Sequence, residues 1–384
     1  MNYFSSNFTL GILGGGQLGK MMLYETRKYD IRTRVLDPSD QAPCRIAADV
    51  FEQGDLMDFE TVYNFGKQVD ILTFEIENVN IEALEKLESE GKKVYPAAAT
   101  LRNINDKGIQ KKFYKTHQIP TSSFKVFEGK NSLNEAIVRK ELHYPFVWKS
   151  CTGGYDGKGV SVIRDAEDII PLSEGACIAE KLIPFKNELA VIVARSPSGE
   201  VKTYPVVEME FHPEANQVEY VICPARIDET VAQKARDIAA KVSEAFKHVG
   251  LLAVEMFQTE DDEILVNEVA PRPHNSGHYS IEASYTNQFE QQLRAILDLP
   301  LGKTDSKVGG IMVNLVGEEG QTGPVVYKNI ETIMAMEGVT PHIYGKKETR
   351  PFRKMGHVTI VNESLAEARK IAAEVKKTIK VISK

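Results

Sequence analysis

The stretch EILVNEVAPRPHNSGH, residues 263–278, decides how the rest of the chain is read. Its first half alternates in the manner of a β-strand and ends on a carboxylate, Glu268. Pro271 and Pro273 then forbid continuation as helix or central strand. The chain must become a polar loop, and that loop carries Arg272, His274, Asn275, Ser276 and His278 within seven residues. Just upstream, LLAVEMF at 251–257 is a second apolar strand with a single carboxylate, Glu255, in its pattern. A lone Glu in an apolar strand is costly unless a cation or hydrogen bonds compensate it. Two such carboxylates, thirteen residues apart on strands joined through 258–263, predict a hairpin with both acids facing one site and Mg2+ between them. The plainer alternative for either residue is a buried Glu satisfied by an arginine or by backbone donors.

A chain of 384 residues is too long for one core, so two or three domains are expected. Hydrophobic residues at 42% and charged residues at 26% describe a soluble globular protein. Lys plus Arg is 47 against Asp plus Glu 54, a net charge of −7, so no global basic field invites nucleic acid. Any anionic ligand must be met by local cations. No apolar run approaches the roughly 18 residues of a membrane helix, and the N-terminus lacks a secretory pattern, which predicts a cytoplasmic protein with no membrane partner. Cys44, Cys151, Cys177 and Cys223 are far apart and form no C-x-x-C pair, as expected of reduced thiols.

Residues 8–13 read as a strand running into Gly14-Gly15-Gly16-Gln17-Leu18-Gly19 and a helix, and 33–36 as a second strand ending in Asp37. That order is the dinucleotide-binding fingerprint, with Asp37 near the place of a ribose-binding acid. Such a turn accepts a phosphate of either a nicotinamide cofactor or a phosphorylated substrate. Residues 69–79 form a buried parallel strand with Glu75, Glu77 and Asn78 at its carboxyl end, where ligands of open α/β sheets sit, beside the 15–17 turn. A helix at 81–90 and a strand at 93–96 close a first domain of four βα units.

Residues 97–117 read as helical and basic, with Arg102, Lys107, Lys111 and Lys112, most of these charges lying on a solvated face. Further on, a strand at 145–150 carries Lys149 into Thr152-Gly153-Gly154-Tyr155-Asp156-Gly157-Lys158-Gly159, and 160–163 continues beyond it. Four glycines in eight residues between two strands make a lid whose amides close over phosphates. It is no Walker A loop, because G-x-x-x-x-G-K-[ST] before a helix is absent. In ACIAEKLI at 176–183, Ile178, Leu182 and Ile183 beside Glu180 and Lys181 suit an adenine, with Glu188 for ribose hydroxyls. An amphipathic helix at 229–248 buries Val231, Ala235, Ile238, Ala239 and Val242, and His248 near its end is read as a dipole partner. One helix is expected over 279–297. Beyond residue 300 a β-rich module carries Arg350, Arg353, Lys354 and His357, a cluster that wants an anion, and closes with a helix at 365–378.

In this order the glycine turn, the lysine before a glycine lid, the Glu-bearing connector and the acids ending in Asn267-Glu268 resemble the ATP-grasp superfamily of carboxylate–amine ligases. GGGQLG at 14–19, TFEIENV at 73–79, TGGYDGKG at 152–159, NEVAPRPHNSGH at 267–278 and RKMGH at 353–357 narrow the resemblance to the N5-carboxyaminoimidazole ribonucleotide synthetase family of purine biosynthesis. What this implies is an α/β (α+β) ATP-grasp fold. It would have a Rossmann-like parallel-sheet domain at 1–100, an ATP-grasp domain at 101–300 with its lid at about 121–186, and a β-rich module at 301–384.

The resemblance further implies a homodimer that joins ATP, bicarbonate and 5-aminoimidazole ribonucleotide through carboxyphosphate. Glu255 and Glu268 would hold Mg2+, one ion or two, with Mn2+ able to substitute. Arg102, Lys107, Lys149, Gly153, Gly154, Gly157, Gly159, Glu180, Lys181, Leu182, Ile183, Glu188, His212 and Asn267 would bind ATP. Tyr155, Asp156 and Lys158 would do so too while joining Arg272, His274 and Lys354 at the reacting groups. Gly15, Gln17, Leu18, Glu75, Asn78, Asn275, Ser276, Arg353 and Lys354 would receive the ribonucleotide. Here the segment before His212 reads Glu208-Met209-Glu210-Phe211 where the family has a Glu-Asn pair, and Arg102 stands one residue further from Lys107 than in some relatives. Rival readings are a formate-dependent glycinamide ribonucleotide transformylase, a nicotinamide-dependent oxidoreductase that leaves the lid and both acids idle, and a silent ATP-binding regulator.

Overall fold

The computed structural model describes residues 3–154, 159–213 and 217–384. The first domain runs β1 (Thr9–Leu13), α1 (Gln17–Lys28), β2 (Arg32–Asp37), β3 (Val50–Gln53), α2 (Phe59–Lys67), β4 (Ile71–Phe74), α3 (Ile81–Ser89) and β5 (Lys93–Val94). Its parallel sheet has the order β3-β2-β1-β4-β5. All of β4 is buried, as a strand covered by helices on both faces must be. Strand β3 and the α2 that follows it have no counterpart among the expected elements: VFEQ has neither clear alternation nor an apolar run.

The basic segment after β5 is two helices, α4 (Ala98–Asn105) and α5 (Lys107–Thr116). Asp106 breaks it by taking an extended backbone (φ −115, ψ 113) and accepting the Ile109 amide at 2.9 Å as a cap. The break puts Lys107 on the first turn of α5, where its amide donates to the Cys151 carbonyl at 2.8 Å. Next come β6 (Phe124–Phe127), α6 (Lys130–Val138), β7 (Phe146–Ser150), β8 (Val160–Ile163) and β9 (Cys177–Lys181), an antiparallel sheet in the order β6-β9-β7-β8. Trp148, Phe146 and Leu133 fill its core.

The chain then builds β10 (Phe185–Arg195), β11 (Val201–Thr203), β12 (Val207–Phe211), β13 (Val218–Cys223), α7 (Glu229–Phe246), β14 (Gly250–Thr259) and β15 (Ile264–Ala270). Val231, Ala235, Ala239 and Val242 of α7 pack on Leu189, Val191, Leu252 and Val254, the face expected from their spacing. His248 is a correction. It is fully buried, and that burial pushes its ring down to about 3, so it is a neutral core residue with no charge to offer the helix dipole. All four cysteines are buried and free.

The helix expected over 279–297 is split into α8 (Ser280–Ala283) and α9 (Gln288–Ile296), because Asn287 accepts the amides of Phe289 and Glu290 and starts a new helix. Beyond it lie β16 (Gly309–Val316), β17 (Gly323–Lys328), α10 (Ile330–Met334), β18 (Val339–Ile343), β19 (Glu348–Thr349), β20 (Lys354–Asn362), α11 (Leu365–Thr378) and β21 (Lys380–Ser383). Strand β13 pairs with β16, so one sheet runs β15-β14-β10-β12-β13-β16-β20-β18 across residue 300, with β11 on β10. A small sheet β19-β17-β21 completes the chain. Among the described residues no helix is long and apolar enough to cross a membrane.

Candidate active site

Strands β14 and β15 form the expected hairpin, and Glu255 stands directly opposite Glu268. The pairing then slips: Met256 faces Val266, which leaves Asn267 as the extra residue of a bulge. Strict alternation sends Asn267 and Glu268 to opposite faces. The bulge instead lets both meet lysines of the facing elements. Lys149 Nζ on β7 donates to Asn267 Oδ1 at 2.7 Å, and Lys107 Nζ on α5 pairs with Glu268 Oε2.

Electrostatics separates the two acids. Lys107 holds the Glu268 carboxyl well below the usual range, with Lys149 and His274 helping. Burial raises Glu255, and the neighbouring negative charges of Glu268 and Glu188 raise it further. Glu188, on β10, is itself pushed up by burial to about 7. The like charges of Glu188 and Glu268 add to burial in holding Glu255 up, while the Lys107 ammonium answers Glu268. Among the described residues no group of three or more His, Cys, Asp or Glu is arranged as a metal cage.

The loop after β15 closes one wall. His274 Nε2 lies 3.3 Å from Glu255 Oε1, and its Nδ1 is 2.9 Å from Ser276 Oγ. Arg272 Nε pairs with Glu77 at 2.8 Å, tying the loop to the end of β4. Lys354 lowers the Glu255 carboxyl electrostatically and so belongs to the same neighbourhood. Asn275 exchanges amide hydrogen bonds with Asn314 at 2.8–2.9 Å. Arg353 donates to the Glu348 carbonyl.

At the glycine turn Glu75 accepts the Gly16 amide at 2.8 Å and the Gly19 amide at 3.3 Å, and burial raises its carboxyl to about 7. A Cβ on Gly16 would lie 2.6 Å from Glu75 Oε1, so any side chain there would push the carboxylate off the turn amides. Asp37 accepts the Gly15 amide at 2.6 Å, which makes it a brace of the turn rather than a free ribose acceptor. Asn78 is exposed at the same strand end. Gln17 lines a cavity between α1 and β18 with Lys20, Tyr24 and His342, and the Leu18 side chain packs in the core of the first domain at 6% exposure.

Some predicted residues are placed elsewhere. Arg102 pairs with Glu85 at 2.9 Å and Glu82 at 3.2 Å on α3, because α4 packs against that helix. The Glu180 carboxylate turns inward to Ser122, Lys111 and Lys149, while Lys181, Leu182 and Ile183 line an apolar cleft of about 480 Å³ with Pro145, Pro184 and Phe185. His212 follows β12 with its ring 6.1 Å from Phe352. His357 is fully buried and held neutral by burial, stacked 4.4 Å from His342, so it leaves the basic cluster of the 350s. Gly153, Gly154 and Gly159 frame the lid, whose Tyr155, Asp156, Gly157 and Lys158 lie outside the described residues. Lys111, assigned to a solvated face, is 2% exposed.

Two lysines gathered on a facing acid pair, in a chain that also carries an apolar cleft at Lys181–Ile183 and two antiparallel sheets, define the class: an ATP-grasp ligase. Family models match along the chain: the ribonucleotide synthetase preATP-grasp domain over 8–105, the ATP-grasp domain over 112–289, and the phosphoribosylaminoimidazole carboxylase C-terminal domain over 310–371. The N5-carboxyaminoimidazole ribonucleotide synthase of Bacillus subtilis is 40% identical over 92% of this chain and 91% of its own. The crystal structure of the synthetase from Thermotoga maritima superposes with a TM-score of 0.90 at 43% identity, covering 98% of this chain and 100% of that one. The Aspergillus clavatus enzyme, in complex with ADP and 5-aminoimidazole ribonucleotide, superposes with a TM-score of 0.88 at 34% identity over 97% and 98% of the two chains. The chain belongs to the N5-carboxyaminoimidazole ribonucleotide synthase family.

Proposed function

We propose that this chain uses ATP and bicarbonate to carboxylate the exocyclic amine of 5-aminoimidazole ribonucleotide, giving N5-carboxyaminoimidazole ribonucleotide, ADP and phosphate in purine biosynthesis. The observation that carries the reading is Glu255 opposite Glu268 with Lys107, Lys149 and Asn267 gathered on them. In this reading the two lysines grip the nucleotide phosphates as point charges, the cleft of Lys181–Ile183 takes the adenine, and Glu188 the ribose. Glu255 and Glu268 would hold Mg2+, one ion or two and replaceable by Mn2+, which when bound offsets the charge of the transferring phosphoryl group.

A bicarbonate oxygen attacks the γ-phosphorus, the bond to the β-bridging oxygen breaks, and ADP leaves. The amine nitrogen then forms the N–C bond at the carboxyphosphate carbon as the bond to phosphate breaks, and gives up a proton, which His274 would take. Arg272 and Lys354 face the anionic groups, and Tyr155, Asp156 and Lys158 of the lid join them. A closed lid keeps water from the mixed anhydride. The glycine turn, with Glu75 and Asn78, receives the ribonucleotide. A homodimer in the cytoplasm is part of the same proposal.

A coupled assay for ADP release tests it. ADP formation is expected to need 5-aminoimidazole ribonucleotide and bicarbonate together. Stimulation by formate and glycinamide ribonucleotide instead would move the chain to the transformylase reaction.

A further inference from the structure

Two ammonium groups share one carboxylate at the root of the cleft. Lys111 Nζ lies 3.3 Å from Glu180 Oε2, 2.6 Å from Thr121 Oγ1 and 3.3 Å from Ser122 Oγ. Those three partners use all three donors of the ammonium, so none is left for a ligand. Glu180 is 3% exposed, and its other oxygen lies 3.4 Å from Lys149 Nζ. Lysine is almost never this buried without a paired charge. Yet Lys149 by itself already balances Glu180. With Lys111 added, the trio carries one net positive charge in a place that water cannot screen.

We propose that Lys111 is a positioning residue for nucleotide binding: it satisfies Glu180 from behind, so that Lys149 keeps an unbalanced positive charge for the triphosphate. The proposal rests on the reading of Lys149 as a phosphate grip. Burial draws Lys111 down to about 8 while Glu180 works against that, which leaves it largely protonated near neutrality. Burial opposes the charged form of Glu180, but Lys149 and then Lys111 keep its carboxyl below the usual range. Thr121 Oγ1 also donates to the Val266 carbonyl, next to Asn267, so the same cluster is fastened to the bulge of β15.

The test compares ATP and adenosine dissociation constants, by calorimetry, for wild type, Lys111→Gln and the double variant Lys111→Gln/Glu180→Gln. In Lys111→Gln the trio falls to zero net charge, and the ATP constant is expected to rise about tenfold while adenosine stays within about twofold. The double variant restores one net positive charge, and ATP affinity is expected to return to within about threefold of wild type. Three results overturn the proposal: an unchanged ATP constant in Lys111→Gln, ATP and adenosine weakened alike, or a double variant no better than the single one. If Lys111→Gln does not fold, Glu180→Gln alone decides. ATP binding at least as tight as wild type supports the proposal, and weaker ATP with unchanged adenosine defeats it. A wild-type chain that binds adenosine but not ATP would unseat the reading of Lys149 itself.

Discussion

Asn267 and Glu268 are neighbours in sequence that reach lysines of the same cleft, and the extra residue in β15 is what permits it. The acids themselves were legible, because a carboxylate in an apolar strand needs a partner. The bulge was not legible, since NEVA reads as plain alternation. The burial of Lys111 is hidden for the opposite reason: a lysine among lysines on a helix is usually solvated, and only the packing of α5 against β9 shows that this one is not. Arg102, by contrast, has no contact with the cleft acids and is paired on α3. At this scale Lys354→Ala is expected to raise the KM for the ribonucleotide by about tenfold or more and to leave the KM for ATP within about twofold. Steady-state kinetics with each substrate varied checks this, and an effect confined to ATP would reassign the lysine to the nucleotide.

Helices and strands with a strong period were readable: α7 buries the face its spacing names, and α11 has the bounds expected. Breaks within a helical composition were not. Asp106 ends one helix and begins the next, and Asn287 begins α9, each through a side-chain cap, and polar residues of that kind also occur on solvated helix faces. The Asp106 cap sets the first turn of α5 and hence the aim of Lys107. Asp106→Ala should cost about 1 kcal/mol of stability and weaken ATP binding as well. Thermal melts together with ATP titration read both, and lost stability with intact ATP affinity would separate the cap from the site.

The junction of α7 and β14 carries one acid-sensitive group. Below pH 6.5 the unfolded chain binds a proton at His248, whereas the buried ring does so only near pH 3, so stability falls as pH drops through that window. Between pH 7 and pH 5 the loss from this one group is about 2 kcal/mol. Urea unfolding at the two pH values should therefore show a smaller loss for His248→Leu than for wild type by that amount, and equal losses would mean the ring protonates in the folded chain.

Across the whole molecule, the sheet that holds the acid pair also carries β16, β20 and β18, so the loop after β15 and Lys354 are fixed by one continuous frame. The first domain joins that frame through α1 and α9: Phe289, Leu293 and Ile296 share a core with Met21 and Met22, and Glu290 accepts from Lys28 Nζ at 2.6 Å and Tyr29 Oη at 2.7 Å. Arg272 pairing with Glu77 extends the same connection to the rim of the cleft. None of these long-range meetings is written in local periodicity. They follow from apolar faces that each element leaves to be covered by another.

The central claim is that Glu255 and Glu268 together seat a divalent cation under the nucleotide phosphates. Mn2+ titration followed by electron paramagnetic resonance in the presence of ADP tests it directly. Wild type is expected to take up Mn2+ with the nucleotide, and Glu255→Gln/Glu268→Gln to lose that binding by about a hundredfold while retaining its fold by circular dichroism. Mn2+ binding of wild-type strength in the double variant would contradict the account.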